Sequence, residues 1–588
     1  MFERVLKTFG MVAIVLLICN FADGVFHGSR ALPSFFFRQQ DLAILAGLLV
    51  LEIALRRIPR LPDGLGKLAG RWAASPVFTA LAQPRRPLVA VVALAVACGV
   101  IGWIGTGLVF GGYALSTDEV MANFDAAILA HGELMAKVAP AWRGNLSALA
   151  PQFVFHPDGG AFWMSSYLPV NAGLRALGVM IGARDWVSPV LATISVIAVF
   201  GVGRRLWPDR PQIAWFAAIL LATSSQMLIT AMTPYAMTAH LAFDLVWLWL
   251  FLTNRWWSHA GAIVVGAAAC GLHQLIFHPL FVAPFIAQLW LDRRWRLAAL
   301  YTLAYAGVCL FWVDYVSYAL KTVTDVVAAT PGGKPQGGLA WVIVTLRLLL
   351  SDFNLAAIGL TAKNLIRYVT WQNVLTTPLL VLGAMAAIRA KGVPRALLIG
   401  IVITNIATFV LMAYQGHGWG YRYMHGLLGS ACLLAAWTWA TLSERLDAPG
   451  KAKAQVVFLT VAALCVLVLL PVRAWQAHRF ARPYATAYAE LQNAKTPIVI
   501  VDSTGVRFGA DLVRNDPYLT NRPLIFDPGL LDMKRLGDLC ARYPVTLFDH
   551  RDAVRLGLQT FVPAPSRHPL DFERIMADLK CRVTESGH

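Results

Sequence analysis

The sequence is poor in charge: Asp, Glu, Lys and Arg together make up 14% of its 588 residues, where a soluble globular chain carries about 25%. Hydrophobic residues make up 58%, and the mean hydropathy is +0.60. A single soluble core cannot bury that much apolar surface in a chain of this length. The shortage of charge therefore excludes a soluble protein and predicts a chain that crosses a membrane many times.

Acidic residues are scarcer than basic ones, with 32 Asp and Glu against 50 Lys and Arg, so the formal charge is +18. Lys and Arg gather beside the apolar runs, where they hold the loops of a membrane protein in the cytoplasm. The excess charge is therefore interpreted as an insertion signal, and no nucleic-acid partner is expected.

Cysteine is also rare, and it adds little. Two of the eight cysteines, Cys540 and Cys581, lie in the polar C-terminal part, where they can pair if that part faces an oxidising compartment. The sequence leaves this pairing open. The other six lie in apolar runs and are expected to be small buried residues: Cys19, Cys98, Cys270, Cys309, Cys432 and Cys465.

Apolar runs of membrane-crossing length occur about thirteen times, which predicts a mostly α-helical transmembrane bundle. For the stretch 339–368 the sequence leaves open a hairpin or two helices along the membrane interface. The predicted spans are 9–27, 41–57, 88–112, 187–206, 211–232, 235–254, 257–275, 278–292, 297–320, 371–390, 394–414, 424–443 and 454–473.

The orientation follows from the basic clusters. The segment from Arg56 to Arg86 is strongly basic and is expected in the cytoplasm. Alternation from there places the N-terminus in the cytoplasm, and the loops 113–186 and 415–423 and the C-terminal tail outside it. The remaining clusters all fall on the cytoplasmic side: Arg204-Arg205, Asn254-Arg255, Arg293 to Arg296, Arg389 to Lys391 and Lys451 to Lys453.

The composition changes at about residue 474, after which basic and acidic residues are nearly balanced. Residues 496–502 and 545–548 are predicted as buried strands, and 530–543 as an amphipathic helix. This pattern predicts a small soluble α/β domain, in which the sequence forms no catalytic constellation and no nucleotide-binding glycine loop. The predicted division is an N-terminal hairpin with a basic loop over 1–87, a transmembrane domain over 88–473 and the soluble domain over 474–588.

An acidic pair, Asp118 and Glu119, follows the third predicted span directly. Carboxylates so close to the hydrocarbon are costly and are candidates for function. The alternative is a helix start, with Ser116 or Thr117 as the cap and the two acids in the first turn. Both interpretations stay open, because a helix that begins here carries both acids at the membrane surface.

Further polar residues follow in the same loop. Residues 120–133 have the apolar spacing of a short amphipathic helix at the interface. Beyond it, His156, Asp158 and Tyr167 are candidates for contact with a substrate.

The segment 417–425 combines His417, Tyr421, Arg422 and His425 with two glycines, on the same predicted side as Asp118. Glycines allow the backbone to approach a ligand closely, and an arginine offers a fork of donors to a phosphate. The segment is therefore a candidate phosphate site. The alternative is an aromatic belt with an arginine that reaches to the interface.

His273, Gln274 and His278 end another predicted span on this side and are candidate substrate contacts. A metal held by the two histidines is disfavoured, because residues five apart do not share a helix face, and no metal or other cofactor is expected. Lys321 is another candidate substrate contact. It precedes a loop over 330–338 that is rich in glycine and proline, and that is expected either to cover the site or only to connect two helices. Asp244 lies within a span, where it either has a function or pairs with a neighbouring helix.

The order of these elements resembles that of the GT-C glycosyltransferases, in particular the branch of protein mannosyltransferases and aminoarabinose transferases. The matching pieces are Asp118-Glu119, the Tyr167-Leu168-Pro169 element and a span that ends Gly203-Arg204-Arg205-Leu206-Trp207. The resemblance covers about 88–473 and the soluble domain. Two departures are the extra hairpin before 88 and a tail without a feature that ties it to a known acceptor.

The resemblance implies a bacterial inner-membrane enzyme that moves a sugar from a polyprenyl-phosphate donor to a glycan, lipid or protein acceptor of the cell envelope. It implies an inverting reaction with Asp118 as the general base. Such a base must lie within about 3 Å of the acceptor hydroxyl. Glu119 is expected to assist the base, orient the acceptor or only cap the helix, and Arg422 to hold the departing phosphate.

Two other functions stay open on the sequence. A lipid or solute transporter, or flippase, needs broken helices near the membrane midplane and internal repeats, and the sequence shows no convincing repeat. A structural or assembly protein with a docking domain outside the cytoplasm is the third possibility.

Overall fold

The computed structural model describes residues 1–26, 31–57, 67, 70–82, 84–150, 152–157, 160–323, 343, 347, 350, 356–561 and 572–585. The fold is mostly helical, with a small α/β unit at the C-terminal end. The predicted loop over 330–338 and most of residues 339–355, the first part of the ambiguous stretch 339–368, lie outside the described residues. From residue 356 that stretch is the helix Ala356–Trp371.

The chain is a multi-pass membrane protein. Seven helical segments of the described chain are long and apolar enough to cross a membrane: Pro33–Arg57, Pro87–Leu108, Arg184–Leu206, Trp295–Val313, Val393–Leu411, Arg422–Glu444 and Ala448–Gln492. The pair Ala357–Trp371 and Thr376–Arg389, which is bent by 109°, makes an eighth if it is one span.

The count of about thirteen spans is therefore larger than the structure supports. Three apolar helices, Gln212–Ala222, Met237–Thr253 and Phe277–Leu291, are shorter than 18 residues, and Trp256–Cys270 has 15. The predicted span 211–232 is wrong as a single helix.

That span breaks at residues 223–224 for a local reason. The Thr223 hydroxyl donates to the Ile219 carbonyl at 2.7 Å, and the Ser224 side chain accepts from the Met227 amide to cap a new helix, Ser225–Thr230. Side-chain bonds of this kind compete with continued helix.

The remaining helices complete the bundle. Those near the N-terminus are Phe2–Phe26, Ala31–Phe36, Leu42–Arg57 and Pro76–Ala82, and the helix Tyr315–Val323 follows the span Trp295–Val313. The helix Ala448–Leu464 continues through Cys465–Leu469 into Leu470–Gln492. The predicted domain boundary at 473–474 falls inside this long helix.

The first long loop folds onto one end of the bundle. It contains the helix Thr117–Ala130, an antiparallel sheet and the amphipathic helix Val170–Met180. The sheet has Phe162–Ser165 between Ala136–Lys137 and Val154–Phe155. The Asp125 carboxylate accepts from the Ser165 amide at 2.8 Å and so ties the first helix to the sheet.

The C-terminal unit is a parallel four-stranded sheet. Its strand order is Leu524–Phe526, Ile498–Val501, Val545–Phe548 and Val583–Glu585. The helix Met533–Arg542 packs beside it. The sheet confirms the prediction of a small α/β unit, and the structure joins Cys540 to Cys581, the pair that the sequence left open.

This C-terminal unit packs on the first long loop. One apolar cluster contains Phe124 and Trp163 from the loop together with Ile500 and Phe526 from the sheet. The Trp163 indole donates to the Pro517 carbonyl at 2.6 Å. Strands and loop therefore share a core, which fixes where the loops at the sheet's edge lie.

A candidate active site at the end of the helical bundle

The helix Thr117–Ala130 begins at the floor of the candidate site. Its fully buried Glu119 accepts from the Ser116 amide at 2.8 Å and from the Ser116 hydroxyl at 3.0 Å, as in a capping box. Successive helical residues point about 100° apart, so Asp118 faces the site while Glu119 turns back to the helix start. This geometry favours the capping alternative for Glu119, whose catalytic role stays a prediction.

The Asp118 carboxylate has a donor on each oxygen. The Tyr167 hydroxyl donates to Oδ1, and the Arg422 guanidinium donates to Oδ2. Burial raises the pKa of Asp118, but the charges of Arg422 and His273 and the Tyr167 bond outweigh burial and lower it to about 2. Asp118 is therefore ionised at neutral pH, in a tight ion pair.

Arg422 reaches Asp118 because the segment before it is folded back on itself. The Arg422 amide donates to Gln415 Oε1 at 3.0 Å. A Cβ on Gly418 would lie 3.1 Å from the Arg422 side chain, so glycine leaves room for it to pass. Within the described part of the chain, the buried Nε of Arg422 has no hydrogen-bond partner, which leaves this arginine a donor for a further anion.

His417 lies near this ion pair and belongs to a second hydrogen-bond network. Its Nδ1 lies 3.0 Å from the Tyr235 hydroxyl, which lies 2.7 Å from the Ser116 hydroxyl. Its ring stacks on Phe480, with ring centroids 5.6 Å apart. Burial, and then the charges of Arg367 and Arg422, lower the pKa of His417, so this histidine is neutral.

Tyr421 and His425, the other two predicted phosphate contacts, lie inside the bundle. The Tyr421 hydroxyl is 3.0 Å from Thr408 Oγ1, and His425 Nδ1 is 3.4 Å from Gln226 Nε2. The two residues are four apart across a helical turn and share its inward side, away from Arg422. Of the predicted phosphate contacts, the structure brings Arg422 and His417 together with Asp118.

The structure also separates the candidate histidines His273 and His278. His273 packs against the Tyr167 ring, with ring centroids 4.0 Å apart. Burial and the charge of Arg422 lower the pKa of His273 to about 4, against the raising effect of Asp118. His278 instead points into the bundle, where its Nδ1 lies 2.6 Å from Asp244. Of the two alternatives for Asp244, the structure therefore contains the second, a pair with a neighbouring helix.

Asp118 and Arg422 border a cavity of about 630 Å³. Of the predicted residues, its wall contains Asp118, Tyr167, Gln274, His417 and Arg422. The opposite wall comes from the C-terminal unit. It consists of residues 506–511 together with Ser503 and Phe561.

The other predicted contacts lie elsewhere. His156 and Lys321 are exposed, and neither belongs to the wall of the cavity. Asp158 lies outside the described residues. Among the residues that the structure describes, no three His, Cys, Asp or Glu side chains are grouped as metal ligands.

Sequence reasoning missed Tyr235 and the C-terminal wall with Arg507 and Asp511. A signal for the wall was present: residues 502–511 follow the strand Ile498–Val501, and ligands of parallel sheets bind beyond the carboxyl ends of strands. Tyr235 had no such signal, because a tyrosine near a helix end is ordinary at a membrane interface.

Comparison with known proteins gives structural similarity alone. No protein-family profile matches the chain, and no curated protein sequence does. The structure is similar to that of ArnT from Cupriavidus metallidurans bound to undecaprenyl phosphate, with 15% identity and a TM-score of 0.42. The match covers 74% of this chain and 85% of that one. The apo structure of the same protein matches over the same shares, with 14% identity and a TM-score of 0.39.

Proposed function

We propose that this chain is an inverting glycosyltransferase that moves a sugar from a polyprenyl-phosphate donor to an acceptor outside the cytoplasm. One observation carries the proposal: Asp118 and Arg422, 304 residues apart in the chain, meet on the wall of one large cavity. Glycosyl transfer needs both a base for the acceptor hydroxyl and a cation for the departing phosphate. Here the two groups stand side by side.

The ion pair gives each partner a defined part in the reaction. Asp118 is ionised and takes the proton of the acceptor hydroxyl as the hydroxyl oxygen attacks the anomeric carbon. The bond from that carbon to the phosphate oxygen breaks, and the lipid phosphate leaves with one more negative charge. Arg422 has five N–H donors, so it binds the phosphate while it remains close to Asp118.

Donor binding also activates the base under this proposal. A phosphate bound to Arg422 shares the positive charge that otherwise stabilises only the ionised Asp118 carboxylate. The pKa of Asp118 then rises from about 2 towards its ordinary value, and the carboxylate becomes a better proton acceptor. The base therefore gains strength only when a donor is in place.

The orientation belongs to the same proposal. The cavity and the C-terminal unit lie outside the cytoplasm of a bacterial inner membrane, with the N-terminus inside and the shorter apolar helices as additional crossings. The Cys540–Cys581 disulfide supports this side for the C-terminal unit, since disulfides persist in oxidising compartments. We retain the three predicted units, 1–87, 88–473 and 474–588, as functional divisions of the chain.

The transporter alternative has less support. The described residues contain one bent helix pair, at Trp371–Thr376, and a transporter site is built from two such pairs at the midplane. The cavity lies at one end of the bundle, next to the soluble unit. Proteoliposomes given a radiolabelled polyprenyl-phosphate sugar separate the two functions: we expect label in a glycosylated acceptor, and uptake of label without transfer contradicts the enzyme.

Replacing Asp118 with Asn should abolish transfer in this assay, because the amide cannot accept the proton. A loss of roughly 10²- to 10⁴-fold is expected for a general base. Asp185→Asn, an exposed acid beside Arg184, is the matched control and should keep full activity. Full activity of Asp118→Asn would remove Asp118 as the base.

Replacing Arg422 with Ala should weaken binding of the polyprenyl phosphate, because its cationic donor is lost. Binding of the labelled lipid phosphate to the purified protein in detergent measures this directly, without turnover. The exposed Arg184→Ala is the control. Equal binding by Arg422→Ala and the control would assign the phosphate to another site.

A further inference from the structure

The loop that follows the first strand of the C-terminal unit reaches down to the start of the helix Thr117–Ala130. Asp511 accepts a hydrogen bond from the Thr117 hydroxyl, the residue immediately before Asp118. Arg514 donates to the Leu115 carbonyl at 3.2 Å and to the Asp511 carbonyl. Two polar side chains from the C-terminal unit therefore hold both sides of the turn that carries Asp118.

These contacts are buried. Thr117, Asp511 and Arg514 expose 6%, 7% and 9% of their surfaces. The Arg514 guanidinium lies 4.0 Å from the Tyr113 ring centroid, just before the same turn. Charged groups are removed from water at a cost unless they are paired and hydrogen-bonded, so this junction is a built connection and not an incidental surface contact.

We propose that Asp511 is a positioning residue for the transfer reaction: it holds Thr117, and through Thr117 it keeps the Asp118 carboxylate between Tyr167 and Arg422. This inference rests on the proposed function. It makes the soluble unit part of the catalytic machinery, because the base is placed correctly only while that unit is docked.

The charges around Asp511 give the inference a measurable pH dependence. Burial raises the pKa of Asp511 to about 6, against the lowering effects of Thr117 and Arg514. The other titratable groups that interact with it are Asp118, Tyr113 and Tyr484. Above about pH 6 Asp511 is ionised and accepts the Thr117 bond at full strength, and below it the bond weakens.

The test compares Asp511→Asn, Thr117→Val and the double variant in the sugar-transfer assay with the full-length chain. A misplaced base costs roughly 100-fold in rate. We expect such a loss of kcat from each single variant, with little change in KM for the donor. The double variant should be no worse than the poorer single variant, because Asp511→Asn weakens and Thr117→Val removes the same charge-assisted hydrogen bond. Asp538→Asn, an exposed acid of the same unit, is the matched control.

The pH profile separates positioning from a general structural role. The acid limb near pH 6 in the wild-type profile of kcat should disappear in Asp511→Asn and persist in Asp538→Asn. Losses that add in the double variant, an unchanged kcat in both single variants, or an unchanged acid limb each overturn the inference. If Asp511→Asn does not fold, Thr117→Val decides the question alone, because it keeps the charges of Asp511 and Arg514. The same loss of kcat supports the inference, and an unchanged kcat overturns it.

The two proposals fail in different ways. An active wild type with a fully active Asp511→Asn overturns only the positioning role. A wild type that transfers no sugar, equal to Asp118→Asn, overturns the proposed function and this inference with it.

Discussion

At the scale of single residues, neighbouring acids of the first helix have opposite surroundings. Asp118 is paired with a guanidinium and keeps a low pKa. Burial instead raises the pKa of Glu119 from its ordinary 4.5 to about 7, against the Ser116 bonds. One helical step therefore separates an ionised carboxylate on the cavity wall from one that takes up a proton near neutral pH.

This difference predicts how stability depends on pH. Between about pH 4.5 and pH 7 the folded chain keeps a proton on Glu119 that the unfolded chain releases. The free energy of unfolding contributed by this group therefore falls as the pH rises through that window. Glu119→Gln removes this dependence, so its unfolding midpoint in detergent should drop less between about pH 5 and pH 8 than that of the wild type.

The same variant tests the role of Glu119. Because Gln still offers an oxygen to the Ser116 amide, the helix cap survives, and sugar transfer should remain close to wild type. An equal drop of the midpoint in both proteins contradicts the pH argument. A loss of transfer as large as that of Asp118→Asn instead restores Glu119 as a catalytic residue.

At the scale of elements, polar side chains join three helices inside the bundle. Asp244 of Met237–Thr253 lies 2.6 Å from His278 of Phe277–Leu291, whose Nε2 lies 2.8 Å from the hydroxyl of Tyr305. All three side chains are buried. The network holds these helices in one register beneath the candidate site.

Removing the centre of this network should be costly. His278→Ala leaves the Asp244 carboxylate buried without its partner, and breaking a buried pair in this way costs about 3–5 kcal/mol. Thermal unfolding in detergent should show a large drop in the midpoint for His278→Ala and almost none for His156→Ala, an exposed histidine. Asp244→Asn removes the charge and should cost less. A midpoint unchanged in His278→Ala contradicts the structural role.

At the scale of the whole molecule, the C-terminal unit and the first long loop form one body. The shared apolar cluster and the Asp511 and Arg514 contacts join residues that lie almost 400 positions apart. The cavity is consequently lined on one side by the first long loop and the ends of the membrane helices, and on the other by loops of the C-terminal unit. The cavity therefore exists only when the C-terminal unit is packed on the rest of the chain.

The disulfide gives a whole-molecule prediction about the compartment. Of the eight cysteines, six are free and two are paired. Chain isolated from its native membrane and denatured should therefore react with six equivalents of a thiol reagent, and with eight after reduction. Eight without reduction would place the C-terminal unit in a reducing compartment and contradict the proposed orientation.

Much of this molecule was determined by its sequence alone. The membrane character follows from the scarcity of charge, and the α/β unit follows from the buried strand patterns at 496–502 and 545–548. Asp118 and Arg422 also stood out, because a charged group beside a membrane helix is costly enough to be informative by itself.

Only the tertiary structure decided which of these groups meet. Sequence spacing placed Tyr421 and His425 beside Arg422, but the turn directs them into the bundle. Sequence spacing also offered no reason to join Asp511 to Thr117, because contacts between distant segments depend on how whole elements pack. The break at residues 223–224 escaped the hydropathy pattern for a related reason: side-chain bonds of Thr223 and Ser224 to the backbone interrupted a helix that apolar composition alone would have continued.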